Sequence, residues 1–193
     1  MIKMAKKNKE CTSQRETGKK RGFVMTVVDF LAPAIIVLIL CTVVFALHVV
    51  PTASMEPTIR ANSFVVGFRL PYILGDPTPK YNDVVSFYNP AQKRILIKRV
   101  IGLPGDKITF EDGYVIRNGE KLLEGNVAEL ASTFPIMQDE YEVPEGCVFV
   151  LGDNRLHSAD SRAMDNPYIN VKFLYSKMLF SFPLPAGVSD LYE

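Results

Sequence analysis

Ser54 and Lys98 are the residues on which hydrolytic chemistry could be built, because the usual serine–histidine arrangement has little to draw on. The 193-residue chain holds two histidines, His48 and His157. A Ser-His-Asp triad would have to use His157, and the G-x-S-x-G elbow that presents such a serine is absent around Thr52-Ala53-Ser54-Met55-Glu56. The usual substitute base is lysine. A lysine with an ordinary pKa is neutral in only about one molecule in 2,500 at pH 7, so it must be desolvated to accept a proton. The stretch Arg94-Ile95-Leu96-Ile97-Lys98-Arg99-Val100-Ile101 offers such a site. Strand alternation puts Lys98 on one face with Leu96 and Val100, and Arg99 on the other with Ile95 and Ile97. The plainer reading is an edge-strand lysine that discourages aggregation. Likewise, Pro51-Thr52-Ala53-Ser54-Met55-Glu56-Pro57-Thr58 could be no more than a turn.

A third constellation, Gly152-Asp153-Asn154-Arg155-Leu156-His157-Ser158-Ala159-Asp160-Ser161-Arg162, follows the apolar run Val148–Leu151. It is dense in hydrogen-bonding side chains. Asp160 and Arg162 are placed to pair as a buttress; on a surface such a pair contributes about 0–1 kcal/mol, so its use is to position the loop.

These segments need a scaffold, and the charge pattern indicates where it lies. The chain carries 22 basic and 21 acidic residues, a net +1 that excludes a uniformly basic nucleic-acid binder. Residues 1–22 hold eight Lys and Arg against two Glu, leaving the remainder net acidic. Phe30 to Val50 is a run of 21 residues without Asp, Glu, Lys or Arg. As a helix it would be roughly 31 Å long, enough for the ~30 Å hydrocarbon core. The expected organisation is a basic cytoplasmic tail at 1–25, a transmembrane anchor at 26–50 and an extracytoplasmic domain at 51–193, oriented by the positive-inside rule. A cleaved leader would have a shorter apolar core than this and a small-x-small site, which His48-Val49-Val50-Pro51 does not supply. Ser54 would then stand close to the membrane surface. Cys11, Cys41 and Cys147 fall in three compartments, so neither a disulfide nor metal-ligand spacing is expected.

The outer domain is expected to be mainly β, an antiparallel sheet built from short apolar runs between turn residues. These runs are Phe64–Phe68, Val84–Tyr88, Ile95–Ile101, Ile108–Phe110, Tyr114–Ile116, Val148–Leu151 and Phe173–Phe182. Asn118-Gly119 marks a tight hairpin. Residues 122–142, with Pro135 and no clean period, are expected to form a small cap insertion.

Taken in order behind an apolar span, S-M-x-P-T at Ser54, K-R-V-I-G-L-P-G-D at Lys98 and G-D-N-R-x-x-S-A-D-S-R at Gly152 resemble the bacterial type I signal peptidases, in their single-span Gram-positive form. The resemblance runs from the span to about Leu184. It implies Ser54 as nucleophile and Lys98 as general base, with Thr52 and the Ser54 N–H binding the oxyanion. Ser158 would orient the lysine, while Asp153, Asp160 and Arg162 would hold the site. It also implies removal of signal peptides from exported preproteins after small residues of the Ala-x-Ala type, at the outer face of the cell membrane. No metal or cofactor and no nucleic acid is implied; lipid and the secretion translocon are the other partners. Leu156-His157 departs from the polar pair many members carry there. Two other readings remain: an inactive membrane-anchored module of surface assembly, and a Ser/Lys self-cleaving repressor, which the apolar span disfavours.

Overall fold

The computed structural model describes residues 25, 28–74, 79–123, 127, 133–136 and 138–185. It divides into two compact units, residues 1–43 and 44–193. The basic tail, with Cys11, lies outside the described residues.

Residues 28–44 form a helix, α1, whose side chains are almost all exposed, among them Phe30, Ile36, Leu38 and Leu40. Among the described residues no helix is long and apolar enough to cross a membrane. The expected helix through Val50 is corrected at its end. Phe45–Val50 is instead a strand, β1, paired antiparallel along its whole length with β2, Ser63–Phe68. Apolarity alone does not separate helix from strand. Here β2 offers a partner, and the strand buries Ala46 and Val50 while Phe45 and Leu47 stay exposed.

The second unit is antiparallel β throughout its named pairings. After a short helix, α2 (Leu70–Leu74), come β3 (Val84–Asn89), β4 (Arg94–Gly102), β5 (Lys107–Glu111), β6 (Tyr114–Arg117), β7 (Glu120–Lys121), β8 (Glu140–Glu142), β9 (Cys147–Leu151), β10 (Tyr168–Asn170) and β11 (Leu174–Pro183). Seven strands form one sheet in the order β1-β2-β11-β3-β4-β9-β10, and four form a second in the order β7-β6-β5-β8. The hairpin at Asn118-Gly119 has φ of 53° and 82°, the left-handed geometry that this residue pair favours. Of the expected cap, 140–142 is a strand of the small sheet, paired to β5. Half of the rest of that segment lies outside the described residues.

Three apolar clusters fix the strands. Val85, Phe87, Leu96, Val100, Val148 and Val150 join β3, β4 and β9. Ile101, Ile108, Val115, Tyr141, Phe149 and Leu151 join the two sheets. Val50, Met55, Ile59, Val65, Val84 and Ile97 fasten the segment after β1 against β2, β3 and β4. β4 is therefore central to the fold, and its two halves differ. Arg94 to Arg99 pair with β3 on one edge, whereas β9 pairs on the other edge only at Arg99, Val100 and Gly102. The second edge of 94–98 has no strand partner among the described residues. The outer edge of β1 has none either. A cleft of about 420 Å³ is walled by 47–52 and 94–98, the chain at those two edges.

Candidate active site

The nucleophile candidate is held by apolar pegs on its own segment. Met55 and Ile59 are fully buried, and the Ile59 N–H donates to the Met55 carbonyl at 2.9 Å, closing a turn directly after Ser54. The loop after β9 grips the same segment from the other side. The Asn154 N–H donates to the Ser54 carbonyl at 3.1 Å, and Asn154 Nδ2 donates to the Ala53 carbonyl at 3.1 Å. With its backbone fixed at both ends, Ser54 turns Oγ toward β4. Lys98 Nζ donates to Ser54 Oγ at 2.7 Å.

Lys98 is only 3% exposed. It stands opposite Val85 on β3, between Leu96 and Val100 along its own strand face. Burial pushes its pKa down from 10.5 to about 8; Asp160 and Asp153 oppose the fall, and Arg94 adds to it. A lysine with that value is neutral in roughly one molecule in ten at pH 7, against one in thousands for an exposed one. The pair can therefore do base-assisted nucleophilic chemistry near neutral pH.

Two buried ion pairs frame it. Arg99 grips Asp153 with both prongs, Nε to Oδ1 at 2.8 Å and Nη2 to Oδ2 at 2.6 Å, and Thr58 Oγ1 donates to Oδ2 at 2.5 Å. Arg162 grips Asp160 likewise, Nε to Oδ1 at 2.8 Å and Nη2 to Oδ2 at 2.9 Å, and the Gly152 N–H donates to Asp160 Oδ2 at 3.0 Å. Asp153 and Asp160 are both fully buried, so the small contribution of an exposed pair does not apply to them. In a buried pair neither partner can be lost alone without stranding a charge. Together they lock strand β4, the Ser54 segment and the loop after β9 into one body.

The family described as "Signal peptidase, peptidase S26" matches residues 24–182. The chain belongs to this family. It is 33% identical over 151 residues to the signal peptidase I of Bacillus caldolyticus, covering 72% of this chain and 80% of that one. To the signal peptidase I of Pseudomonas fluorescens it is 34% identical over 180 residues, 73% of this chain and 63% of the longer relative. A crystal structure of a signal peptidase I from Enterococcus faecalis V583 superposes with a TM-score of 0.45 at 28% identity, over 53% of this chain and 97% of that one. The protein is thus a serine peptidase, a hydrolase of the signal peptidase I family.

The remaining expected site residues of the peptidase fall as follows. Thr52 Oγ1 is 3.5 Å from Ser54 Oγ, and both residues line the cleft. Ser158 is buried within the site loop, but among the described residues its Oγ has no hydrogen-bond partner; the bond to Lys98 that the resemblance implies is not made here. His157 is exposed, with Nδ1 3.1 Å from Asn154 Oδ1 rather than at the nucleophile. His48 sits on β1, edge-on to Tyr175 with ring centroids 5.7 Å apart. Cys147 opens β9 and is half-buried rather than enclosed; burial pushes its thiol pKa up. Among the described residues no cluster of His, Cys, Asp or Glu could hold a metal ion.

Sequence reasoning missed Thr58, Arg99, Asn154 and Arg155. Arg155 donates from Nε to the Gly152 carbonyl at 2.9 Å and from Nη1 to Thr133 Oγ1 at 2.9 Å, tying the site loop to the expected cap segment. Arg99 carried a usable signal. A charge alternating with Ile95 and Ile97 on a central strand must be buried, and a buried guanidinium requires a carboxylate.

Proposed function

We propose that this protein is a membrane-bound signal peptidase that releases exported preproteins by cutting after small residues of the Ala-x-Ala type, with Ser54 as nucleophile and Lys98 as general base. The observation that carries this reading is the 2.7 Å contact between Ser54 Oγ and an almost fully buried Lys98 Nζ. Neutral Lys98 takes the Ser54 proton as Oγ attacks the scissile carbonyl. The Ser54 N–H and the Thr52 hydroxyl stabilise the oxyanion, whose charge develops in a partly dry site. Lys98 returns its proton to the leaving amine as the C–N bond breaks. Water then enters, loses a proton to Lys98 and hydrolyses the acyl-enzyme. Ser158 is the reserve partner for Lys98 Nζ once Ser54 Oγ is acylated. Asp153, Asp160 and Arg162 act by holding the loop in place.

The two unpaired edges that flank the cleft support binding of the substrate as an added strand, with main-chain hydrogen bonds for affinity and shallow pockets for alternate side chains. The exposed apolar side chains of α1, behind a basic tail, support the domain assignment: a cytoplasmic N-terminus, an anchor that includes 28–44, and a catalytic domain on the outer face. In that setting preproteins, lipid and the secretion translocon are the partners, and no cofactor takes part. The test is cleavage of an Ala-x-Ala preprotein by the full-length enzyme in membranes. Ser54→Ala and Lys98→Ala should each abolish it, while His157→Ala keeps most of it. Survival of activity in Lys98→Ala together with its loss in His157→Ala would replace the dyad with a triad.

A further inference from the structure

Arg94 touches none of the reacting groups named above, although its charge adds to the lowering of the Lys98 pKa, and it lines the same cleft as Ser54 and Lys98. It lies four residues before Lys98 on β4, so the pleat turns both side chains to one face. At about 3.3 Å per residue it stands roughly 13 Å from the lysine along the groove. Its side chain is exposed and makes a hydrogen bond from Nε to Gln92 Oε1 at 2.8 Å. Among the described residues it has no ion-pair partner; the ion pairs there belong to Arg99, Lys107, Arg117, Arg162 and Lys177. No Asp or Glu lines the cleft, whereas Arg94, Lys98 and His157 all do. A peptide laid in this groove therefore meets a guanidinium whose charge no carboxylate of the cleft offsets, about four residues from its scissile bond.

The direction of the peptide follows from the walls. β1 and β4 are separated by four antiparallel steps, so they run in the same sense, from Leu47 and Arg94 toward Ser54 and Lys98. The walled groove suits the slender signal-peptide side, whereas the bulky mature protein must leave into open solvent.

We propose that Arg94 is a specificity-determining residue that receives an acidic side chain of the preprotein four to five residues before the scissile bond. The proposal rests on the reading of the cleft as the signal-peptide groove. The discrimination Arg94 makes between peptides is a binding effect, because its electrostatic push on Lys98 is the same whichever peptide is bound. A guanidinium–carboxylate contact at an exposed site is modest, so the expected discrimination is about fivefold.

The experiment uses peptides with Ala at the first and third positions before the bond and Glu, Gln or Lys at the fifth. A control series carries the same three residues at the ninth. Full-length enzyme in neutral detergent should cleave the fifth-position Glu peptide with a KM about fivefold below that of the Lys peptide, at similar kcat. Arg94→Lys should keep that order and Arg94→Glu should invert it, while the ninth-position series stays flat. Anisotropy titration on the Ser54→Ala variant reads the same ratio without turnover. If the Gln peptide is bound but never cleaved by the wild type, the function proposed above fails, and the binding ratio still decides the role of Arg94. An equal Glu-to-Lys ratio in the wild type and Arg94→Glu would overturn the proposal. So would an Arg94 dependence that appears only on phosphatidylglycerol vesicles whatever the peptide charge, which would assign the residue to lipid.

Discussion

Replacing Lys98 by Met should stabilise the protein while destroying its activity. The lysine is 3% exposed, and burial lowers its pKa from 10.5 to about 8. That difference corresponds to about 3 kcal/mol between its charged and neutral forms in the fold. The sign follows from proton counting. Between pH 8 and 10.5 the unfolded chain holds the proton and the native state has lost it, so stability rises with pH across that window. Below pH 8 both states are protonated and the full penalty is present. Methionine has a similar shape and no charge to desolvate, but it gives up the hydrogen bond to Ser54 Oγ, a contribution of about 1–2 kcal/mol. The net expectation is that Lys98→Met is more stable than the wild type by about 1–2 kcal/mol at pH 7. The advantage should shrink steadily above pH 8 and vanish or reverse by about pH 10. Urea titration of both full-length proteins in the same detergent, followed by near-UV circular dichroism at several pH values, measures it. A variant less stable than the wild type at pH 7, by an amount that does not change with pH, would refute the reasoning. Lys98 would then be a well-solvated ion in the native state and could not serve as a base of depressed pKa.

The activity of the wild type should show the same titration. Because neutral Lys98 is the competent form, kcat/KM should rise with pH along an acid limb near 8, and a limb that persists unchanged in a Lys98 variant with residual activity would show that another group titrates. Asp160→Asn removes a charge that favours protonated Lys98 and also leaves Arg162 buried without its counter-ion. The acid limb should therefore move to lower pH in activity assays, while urea denaturation shows a loss of about 3–5 kcal/mol. Gly152→Ala should cut kcat more than tenfold. Its added Cβ would overlap Ser158 Oγ and sit 2.5 Å from the Ser54 carbonyl oxygen. Such overpacking costs about 1–3 kcal/mol and falls on the backbone that carries the nucleophile; steady-state kinetics with thermal melting separates the two effects.

By itself the sequence determined the elements whose signal is local. Period-two apolar runs marked β2, β3, β4, β9 and β11 within a residue or two at most ends, and Asn118-Gly119 marked its hairpin, because alternation and left-handed turn geometry are written in adjacent residues. The types at positions 54, 98 and 152–162 were enough to nominate a serine, a lysine and a bracing loop. What the sequence could not supply was anything that depends on a distant partner. The apolar run from Phe30 to Val50 reads the same as helix or strand, and only the presence of β2 beside Phe45–Val50 turned its last six residues into an edge strand. The 2.7 Å contact between Ser54 and Lys98 joins residues 44 apart in the chain. The Arg99–Asp153 grip joins residues 54 apart. Whether an Asp–Arg pair two residues apart is an exposed ornament or a buried brace is decided by burial, which Asp160 and Arg162 acquire only when the backbone at Gly152, Arg155 and Phe134 closes around them. The base itself is the clearest case. Lys98 has an ordinary side chain in the sequence, and its lowered pKa is a property of the surroundings that folding brings to it.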